Sequence, residues 1–370
     1  MVVEIKGSKQ LFEEVIGGEL CILCGACAGS CPYLVPYKGR IALLDNCTLL
    51  EGQCYQYCPR TYIDMDAVSQ KIFGTRLNED EIGVVRDVFL ARSADPEIRG
   101  KGQDGGTVTT LLSVALAEGL IDGAVVSKMS EDKTPSGFIA RNKEELLQSS
   151  GNSYEPSPVL EALNRLPKDS DEKLGIVGVP CQVMAVAKMK TYPPRNRVNI
   201  DNVKLVIGLF CGWSLADGFH RFLQENLDLS QVVKFDIPHH PGHTFDVYTK
   251  SGVKSFELDD IRKFINPACS YCWDMTSEFA DISVGSGRTA FRGWNTVIVR
   301  TEAGAELLDI AKRKGALETQ PIPEESITNL KRASLNKKRR ALDSIIEKTG
   351  DRNDLLYLGI SRSFADKLLG

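Results

Sequence analysis

CILCGACAGSCP, residues Cys21 to Pro32, is followed by NCTLLEGQCYQYCP, Asn46 to Pro59. The first segment reads C-x2-C-x2-C-x3-C-P, with Cys21, Cys24, Cys27 and Cys31. This is the ligand spacing of a bacterial iron–sulfur domain, in which the fourth cysteine serves the other cluster of a pair. Three thiolates on one tight loop take three corners of a 4Fe–4S cube, and Pro32 turns the chain away after the fourth. Small residues between them (Gly25, Ala26, Ala28, Gly29) let backbone N–H groups approach the cluster sulfurs. A structural zinc would fit C-x2-C alone but rarely draws on four cysteines packed this closely. The spacing therefore predicts a small ferredoxin-like (α+β) domain whose business is moving electrons.

The chain has 370 residues, 42% of them hydrophobic and 25% charged, with a formal net charge of −4. That is enough for two or more domains with a substantial core. Neither the balance of charge nor any basic tail points to nucleic acid. No apolar run approaches the roughly 20 residues of a membrane span, and MVVEIKGSKQLFEE reads as neither signal nor transit peptide. The expectation is a cytoplasmic protein, with docking to a membrane complex as the peripheral alternative. Eleven cysteines clustered at ligand spacings argue for metal in a reducing compartment rather than disulfides.

Seven of those cysteines precede residue 60, one fewer than two cubes require. The crossing pattern assigns Cys21, Cys24, Cys27 and Cys58 to one cluster. Cys31, Cys47 and Cys54 remain for the other, whose fourth position falls to Asp45, Glu51, a water or an absent iron. A single front cluster is the alternative.

Beyond a boundary placed at 75–88, the chain alternates in the α/β manner, predicting a core with a mixed sheet. QDGGTVTT (103–110) sets a Gly-Gly turn before a helix ending at Gly119. The free N–H groups of such a turn suit a phosphate or flavin edge, although the motif also serves as a plain turn. LGIVGVPCQVMAVAKM (174–189) reads as strand, turn and helix, and VKLVIGLFCGWSL (203–215) as a strand running into Cys211. Cys181 and Cys211 thus stand at equivalent carboxyl-terminal strand junctions, where open α/β sheets hold ligands. CSYC at 269–272 supplies two more thiolates. Cys181, Cys211, Cys269 and Cys272 fit a third 4Fe–4S cluster, with a four-cysteine zinc site as the alternative; the front cysteines tip the balance to the cluster, because electrons delivered there must go somewhere.

Several motifs in this order resemble the coenzyme F420 hydrogenase/dehydrogenase beta-subunit family. They are QDGGTVTTLL (103–112), GNSYEPSP (151–158), GVPCQVMAV (178–186), GLFC (208–211), CSYCWD to ADISVGSG (269–287) and GWNTVIVRTEAG (293–304). The resemblance covers about 88 to 330. An N-terminal ferredoxin segment is absent from the hydrogenase subunit and placed more as in F420H2-oxidising subunits. The resemblance implies a flavoprotein core with one FAD that exchanges hydride with F420, beside a 4Fe–4S cluster on Cys181, Cys211, Cys269 and Cys272. It nominates Gln103, Asp104, Gly105, Gly106, Thr107, Thr109, Ser153, Tyr154 and Ser157 for the FAD pocket. Lys188 and Lys190 are nominated for the acidic tail or phosphate of F420, against a plain reading as solvated lysines. Implied partners are redox subunits of the heterodisulfide reductase, formate dehydrogenase, hydrogenase, membrane dehydrogenase or sulfite reductase type.

The expected organisation is an iron–sulfur domain at 1–80, the core at 81–325 and a helical extension at 326–370. No acid–base side chain is required for hydride exchange, so no catalytic residue is nominated. His239, His240 and His243 read as a solvated loop, Trp273 as a shield for the central cluster, and Lys337 to Arg340 as a solvated basic face. Two other readings share these residues: a ferredoxin-linked flavin reductase of a different substrate, and an electron-transfer subunit with no substrate of its own.

Overall fold

The computed structural model describes residues 6–45, 47–192, 199–238 and 242–370. Its centre is an eight-stranded mixed sheet made of β1 (Asp87–Ser93), β2 (Gly123–Met129), β3 (Pro135–Ala140), β4 (Leu174–Gly178), β5 (Val203–Leu209), β6 (Ile282–Ser286), β7 (Asn295–Val299) and β8 (Leu317–Pro321). Their order in space is β3-β2-β4-β5-β6-β7-β1-β8. Strands β2, β4, β5 and β6 are parallel. β3 closes one edge antiparallel, and β7, β1 and β8 extend the other through antiparallel pairings. Strands β4 and β5 are apolar along most of their length because helices cover both faces of the sheet.

On one face lie α1 (Thr107–Ala117) and the helix Glu302–Arg313, packing Leu111, Ala115, Leu307 and Leu308 against the strands. Further along the chain come α2 (Val159–Asn164), α3 (Pro180–Thr191) and α4 (Glu324–Thr349). The other face carries α3 with the helix Met65–Phe73 and α4. Val183 to Met189 of α3 are all buried, so this helix has no solvent side.

The front segment is not a bead on a linker. Ile22, Cys24, Ala26 and Tyr57 share one core with Leu174, Ile176 and Val206 of the sheet and with Leu342, Ile345 and Phe364 near the chain end. Strand Leu358–Gly359 pairs parallel with Ile63–Asp64, tying the last elements to the first. Val232–Asp236, Thr244–Thr249 and Gly252–Glu257 form a separate three-stranded lobe built around the aromatic residues Phe219, Phe235 and Phe245.

The expected solvated basic face on α4 is corrected by its burial. Lys337 and Lys338 are 4% and 1% exposed. The Lys337 Nζ donates to the carbonyl of Cys211 at 2.7 Å. Lys338 pairs with the buried Glu278 and lies 4.1 Å from the centroid of the Trp273 ring. Arg339 and Arg340 do stay at the surface, where the Arg339 Nε donates to the carbonyl of Leu368 at 2.7 Å.

Breaking a buried pair strands one charge. Lys338→Met is expected to lower stability by about 3–5 kcal/mol in urea unfolding, and adding Glu278→Gln should recover most of that loss. A single-variant loss below about 1 kcal/mol, the range of a surface pair, would contradict it.

Candidate functional site

Four thiols of the front segment meet around one cavity. Cys21, Cys24, Cys27 and Cys58 line it together with Leu11, Val15, Ile41 and Arg60. These are the four that the crossing pattern groups. The ligand loop is shaped by α2 as much as by any ligand. A side chain at Gly25 would strike the carbonyl of Pro158 at 2.6 Å, and Gly25 and Gly29 both have φ of +85°. The Asn164 Nδ2 on α2 donates to the carbonyls of Ala26 at 3.1 Å and Ala28 at 2.7 Å, pinning the loop from behind.

Burial pushes the Cys58 thiol up to about 11, against the pull of Lys188 and Arg60. Burial drives Cys27 well above the usual thiol range, and Cys24, Cys21 and Cys58 add to the rise. Four thiolates packed together out of water repel one another. Thiols raised in this way would release their protons on binding a metal.

The second front group also assembles. Burial lifts Cys54 to about 12, with Cys31 the next cause and Cys47 acting alongside. Asp45 and Glu51, two positions before Cys47 and three before Cys54, are both exposed.

The central group forms where adjacent parallel strands end. Cys181 lies in the first turn of α3 after β4, and Cys211 just beyond β5. Cys269 and Cys272 come from the turn at Pro267–Tyr271. The Ser214 N–H donates to the Cys269 Sγ at 3.3 Å. Burial raises Cys211 to about 12; Lys337 pulls it down, while Cys269 and Cys272 push it up. Cys181 is raised by burial and then by Cys272 and Cys211. Among the described residues, no three His, Cys, Asp or Glu side chains close on one point as the ligands of a single ion would.

Among the described residues eight buried side-chain polar atoms lack a partner, and three of them are Tyr57 Oη, Arg60 Nε and Trp273 Nε1. Each of these three belongs to a residue within two positions of Cys58 or Cys272. An orphaned buried donor costs about 1–3 kcal/mol, and sulfurs of an iron–sulfur cluster accept such bonds. Thiols and donors together fit clusters at the Cys21/Cys24/Cys27/Cys58 and Cys181/Cys211/Cys269/Cys272 groups.

The residues nominated for FAD divide. The 103–110 and 150–154 stretches come together, with Gln103 Nε2 donating to the Tyr154 Oη at 3.4 Å and the Thr109 and Ser150 hydroxyls 3.3 Å apart. Gln103 also donates to the Asp236 Oδ1 at 2.9 Å, joining this corner to the aromatic lobe, where Tyr154 packs edge-on against Phe245. Asp104 adjoins this corner, and the Ser153 hydroxyl turns back to the carbonyl of Glu155 at 3.0 Å. The expectation of free N–H groups at the Gly-Gly turn is corrected at Thr107. Its N–H is capped by the Asn295 Oδ1 at 3.2 Å, and its buried hydroxyl donates to the carbonyl of Ala91 at 3.1 Å. Gly105 is required because a Cβ would meet the Asn295 Oδ1 at 2.7 Å, and Gly106 sits at a φ of +72°. Ser157 lies elsewhere, its carbonyl held by the Gln182 Nε2 at 2.7 Å between α2 and α3. Its buried hydroxyl has no partner among the described residues.

Both readings of Lys188 are corrected. It is 1% exposed, and its Nζ donates to the Cys58 carbonyl at 2.9 Å, the Thr61 carbonyl at 3.1 Å and the Thr61 Oγ1 at 2.6 Å. Lys188 braces the turn that presents Cys58; neither solvent nor an F420 tail reaches it. Lys190 faces a cavity of about 160 Å³ with Lys71 and Asp281, and burial holds its ammonium below the usual lysine range. His239 and His240 lie outside the described residues; His243 is exposed, 3.2 Å from Asp259. Trp273 is buried against Lys338, as a shield beside Cys272 requires.

Sequence reasoning missed Arg60 and the pair Glu155–His220. The His220 Nδ1 is 3.3 Å from the Glu155 Oε2, and burial raises the Glu155 carboxyl to about 7. No local pattern marks either, since each depends on partners far away in sequence.

Residues 88–164 match the N-terminal part of the family described as coenzyme F420 hydrogenase/dehydrogenase, beta subunit, and residues 171–325 match its C-terminal part. The chain is 36% identical to the beta subunit of coenzyme F420 hydrogenase from Methanothermobacter thermautotrophicus, over 71% of this chain and 95% of that one. It is 32% identical to a subunit of the F420H2 dehydrogenase of Methanosarcina mazei, over 84% and 87%. It is 30% identical to a coenzyme F420-dependent sulfite reductase of Methanocaldococcus jannaschii, over 89% of this chain but only 52% of that longer one. Among solved structures, a chain of the F420-reducing [NiFe] hydrogenase complex from Methanosarcina barkeri superposes with a TM-score of 0.67 and 32% identity, covering 74% of this chain and 96% of that one. The thiol groups and the loops that meet beside them therefore belong to a member of the coenzyme F420 hydrogenase/dehydrogenase beta-subunit family.

Proposed function

We propose that the chain is an oxidoreductase subunit that exchanges hydride with coenzyme F420 through a bound FAD and passes single electrons through 4Fe–4S clusters to or from a partner redox subunit. The observation that carries this reading is the pair of four-thiol groups, one member of each (Cys24 and Cys181) packed into one core, in a chain 36% identical to the beta subunit of a coenzyme F420 hydrogenase. When bound, FAD interconverts hydride and single-electron chemistry, and the clusters take electrons one at a time.

The chain's own residues supply position and environment. Cys21, Cys24, Cys27 and Cys58 would hold one cluster and Cys181, Cys211, Cys269 and Cys272 another; Cys31, Cys47 and Cys54 give three ligands of a third. The corner built from Gln103, Thr109 and Tyr154 supports a flavin site, and the Glu155–His220 pair holds a proton beside it. In this reading 1–80 carries electrons to the partner, 81–325 meets the coenzyme, and 326–370 locks the two together. Among the described residues no helix is long and apolar enough to cross a membrane. The expected partner is a redox subunit of the hydrogenase or dehydrogenase type.

The test is anaerobic. F420H2 added to the iron- and FAD-loaded protein should bleach the flavin absorbance and reduce the clusters, whereas NADH should not. Bound flavin silent to F420H2 would overturn the coenzyme assignment. Cys58→Ser should lose one cluster's worth of iron while the central cluster's EPR signal persists; retention of all iron would refute the crossing pattern. Lys188→Met should cost stability of about 2–4 kcal/mol, because two carbonyls and a hydroxyl lose their buried partner, and should leave the KM for F420H2 within twofold. A tenfold rise in that KM with clusters intact would restore the tail contact.

A further inference from the structure

Arg60 stands between the two four-thiol groups. It lines the cavity of Cys21, Cys24, Cys27 and Cys58. Its guanidinium also reaches into the turn that carries Cys269 and Cys272, donating from Nη1 to the carbonyl of Tyr271 at 3.0 Å and from Nη2 to the carbonyl of Ala268 at 3.2 Å. The ring of Tyr357 lies beneath it, 4.7 Å from centroid to guanidinium carbon. The Tyr357 hydroxyl donates to the same Tyr271 carbonyl at 2.6 Å.

This cation is 4% exposed and has no carboxylate partner among the described residues, and its Nε makes no hydrogen bond. Arg300, the other large buried guanidinium, shows what a purely structural arginine looks like here. Its Nε, Nη1 and Nη2 all donate, to Ser283, to Ile82 and Val84, and to Thr276, with Glu278 and Asp274 as nearby counter-charges. A buried charge lacking such compensation is strongly unfavourable. What Arg60 does face is the wall of the Cys21, Cys24, Cys27 and Cys58 cavity on one side and the turn that carries Cys269 and Cys272 on the other. The compensation it lacks in the protein is therefore placed where the two metal–thiolate centres would be.

We propose that Arg60 is a positioning residue that couples the front cluster to the central one, its fixed positive charge raising the reduction potential of both. The inference rests on the cluster assignment of the preceding subsection. Reduction adds one negative charge to a cluster, and a nearby cation in a low-dielectric interior favours that form over the oxidised one. Holding the CSYC turn and the Cys58 turn with one side chain also fixes the path between them.

Arg60→Lys keeps the charge and Arg60→Gln removes it while keeping an amide donor for the turn carbonyls. The measurement is an EPR-monitored redox titration of the purified, iron-loaded protein, with iron content determined in parallel. In Arg60→Gln the equilibrium constant for reducing each of the two clusters should fall about tenfold, equivalent to 59 mV for one electron, while Arg60→Lys should stay near wild type. Loss of iron from Arg60→Gln alone, with Arg60→Lys loaded and unshifted, would also support the charge as counter-ion of the clusters. Full loading of Arg60→Gln with both potentials unchanged overturns the proposal. So does equal loss of iron from both variants, which would make the residue a structural brace only. A wild-type protein that shows no cluster signal after reconstitution would instead fail the cluster assignment itself.

Discussion

Charge taken out of water must be answered by opposite charge or by a full set of hydrogen bonds, and this interior collects an unusual amount of it. Arg60, Lys188 and Lys337 are all buried, and each touches a segment that carries cysteine ligands. They surround thiols that burial and mutual repulsion hold in the protonated form. Taken one at a time, a buried lysine and a buried thiol are each unfavourable. Under the proposed cluster assignment, Arg60 and Lys337 would set positive charge beside anionic metal–thiolate centres, while Lys188, which burial lowers to about 7, braces the Cys58 turn. The same logic explains why α4 is anchored from within: Lys337 holds the Cys211 carbonyl and Lys338 neutralises Glu278 beneath Trp273, so the long helix roofs the central thiols.

What can be read in the sequence follows from spacing and local periodicity. Cys21, Cys24 and Cys27 fall on one loop because their separations leave no room for anything else, and Cys58 joins them through the ligand pattern. The strand–turn–helix from Leu174 to Thr191 is legible because an apolar run, a Pro at the first helical position and a second apolar run leave few alternatives. Composition misjudges the lysines for want of the same reasoning. A helix apolar on every side is interior, so Lys188 within it must be interior too. On α4 the buried stripe runs through Leu330, Ser334, Lys337, Lys338, Ala341, Leu342 and Ile345. Its steps of three and four place both lysines on the core face, and the run KKRR conceals this only when read as composition. The Gly-Gly turn misleads differently: its N–H partner, Asn295, arrives from β7. Arg60 is beyond reach, because its carbonyl partners lie more than 200 residues away and nothing near Pro59 announces them.

The closure of the chain on itself bears on how electrons could move. A ferredoxin-like segment on a flexible tether would let the separation of the two thiol groups fluctuate. Here Cys24 belongs to the same core as Ile176 and Val183, the loop around it is pinned by Asn164, and the strand at 358–359 pairs with residues 63–64. Tyr357, the residue before that strand, carries Arg60 on its ring and bonds the CSYC turn through its hydroxyl. The C-terminal segment therefore acts as a clasp whose removal would release the front segment and the central turn together. Fixing one group against the other at the level of a shared core is what preorganisation of a site demands, and it accounts for elements at opposite ends of the sequence meeting at one tyrosine.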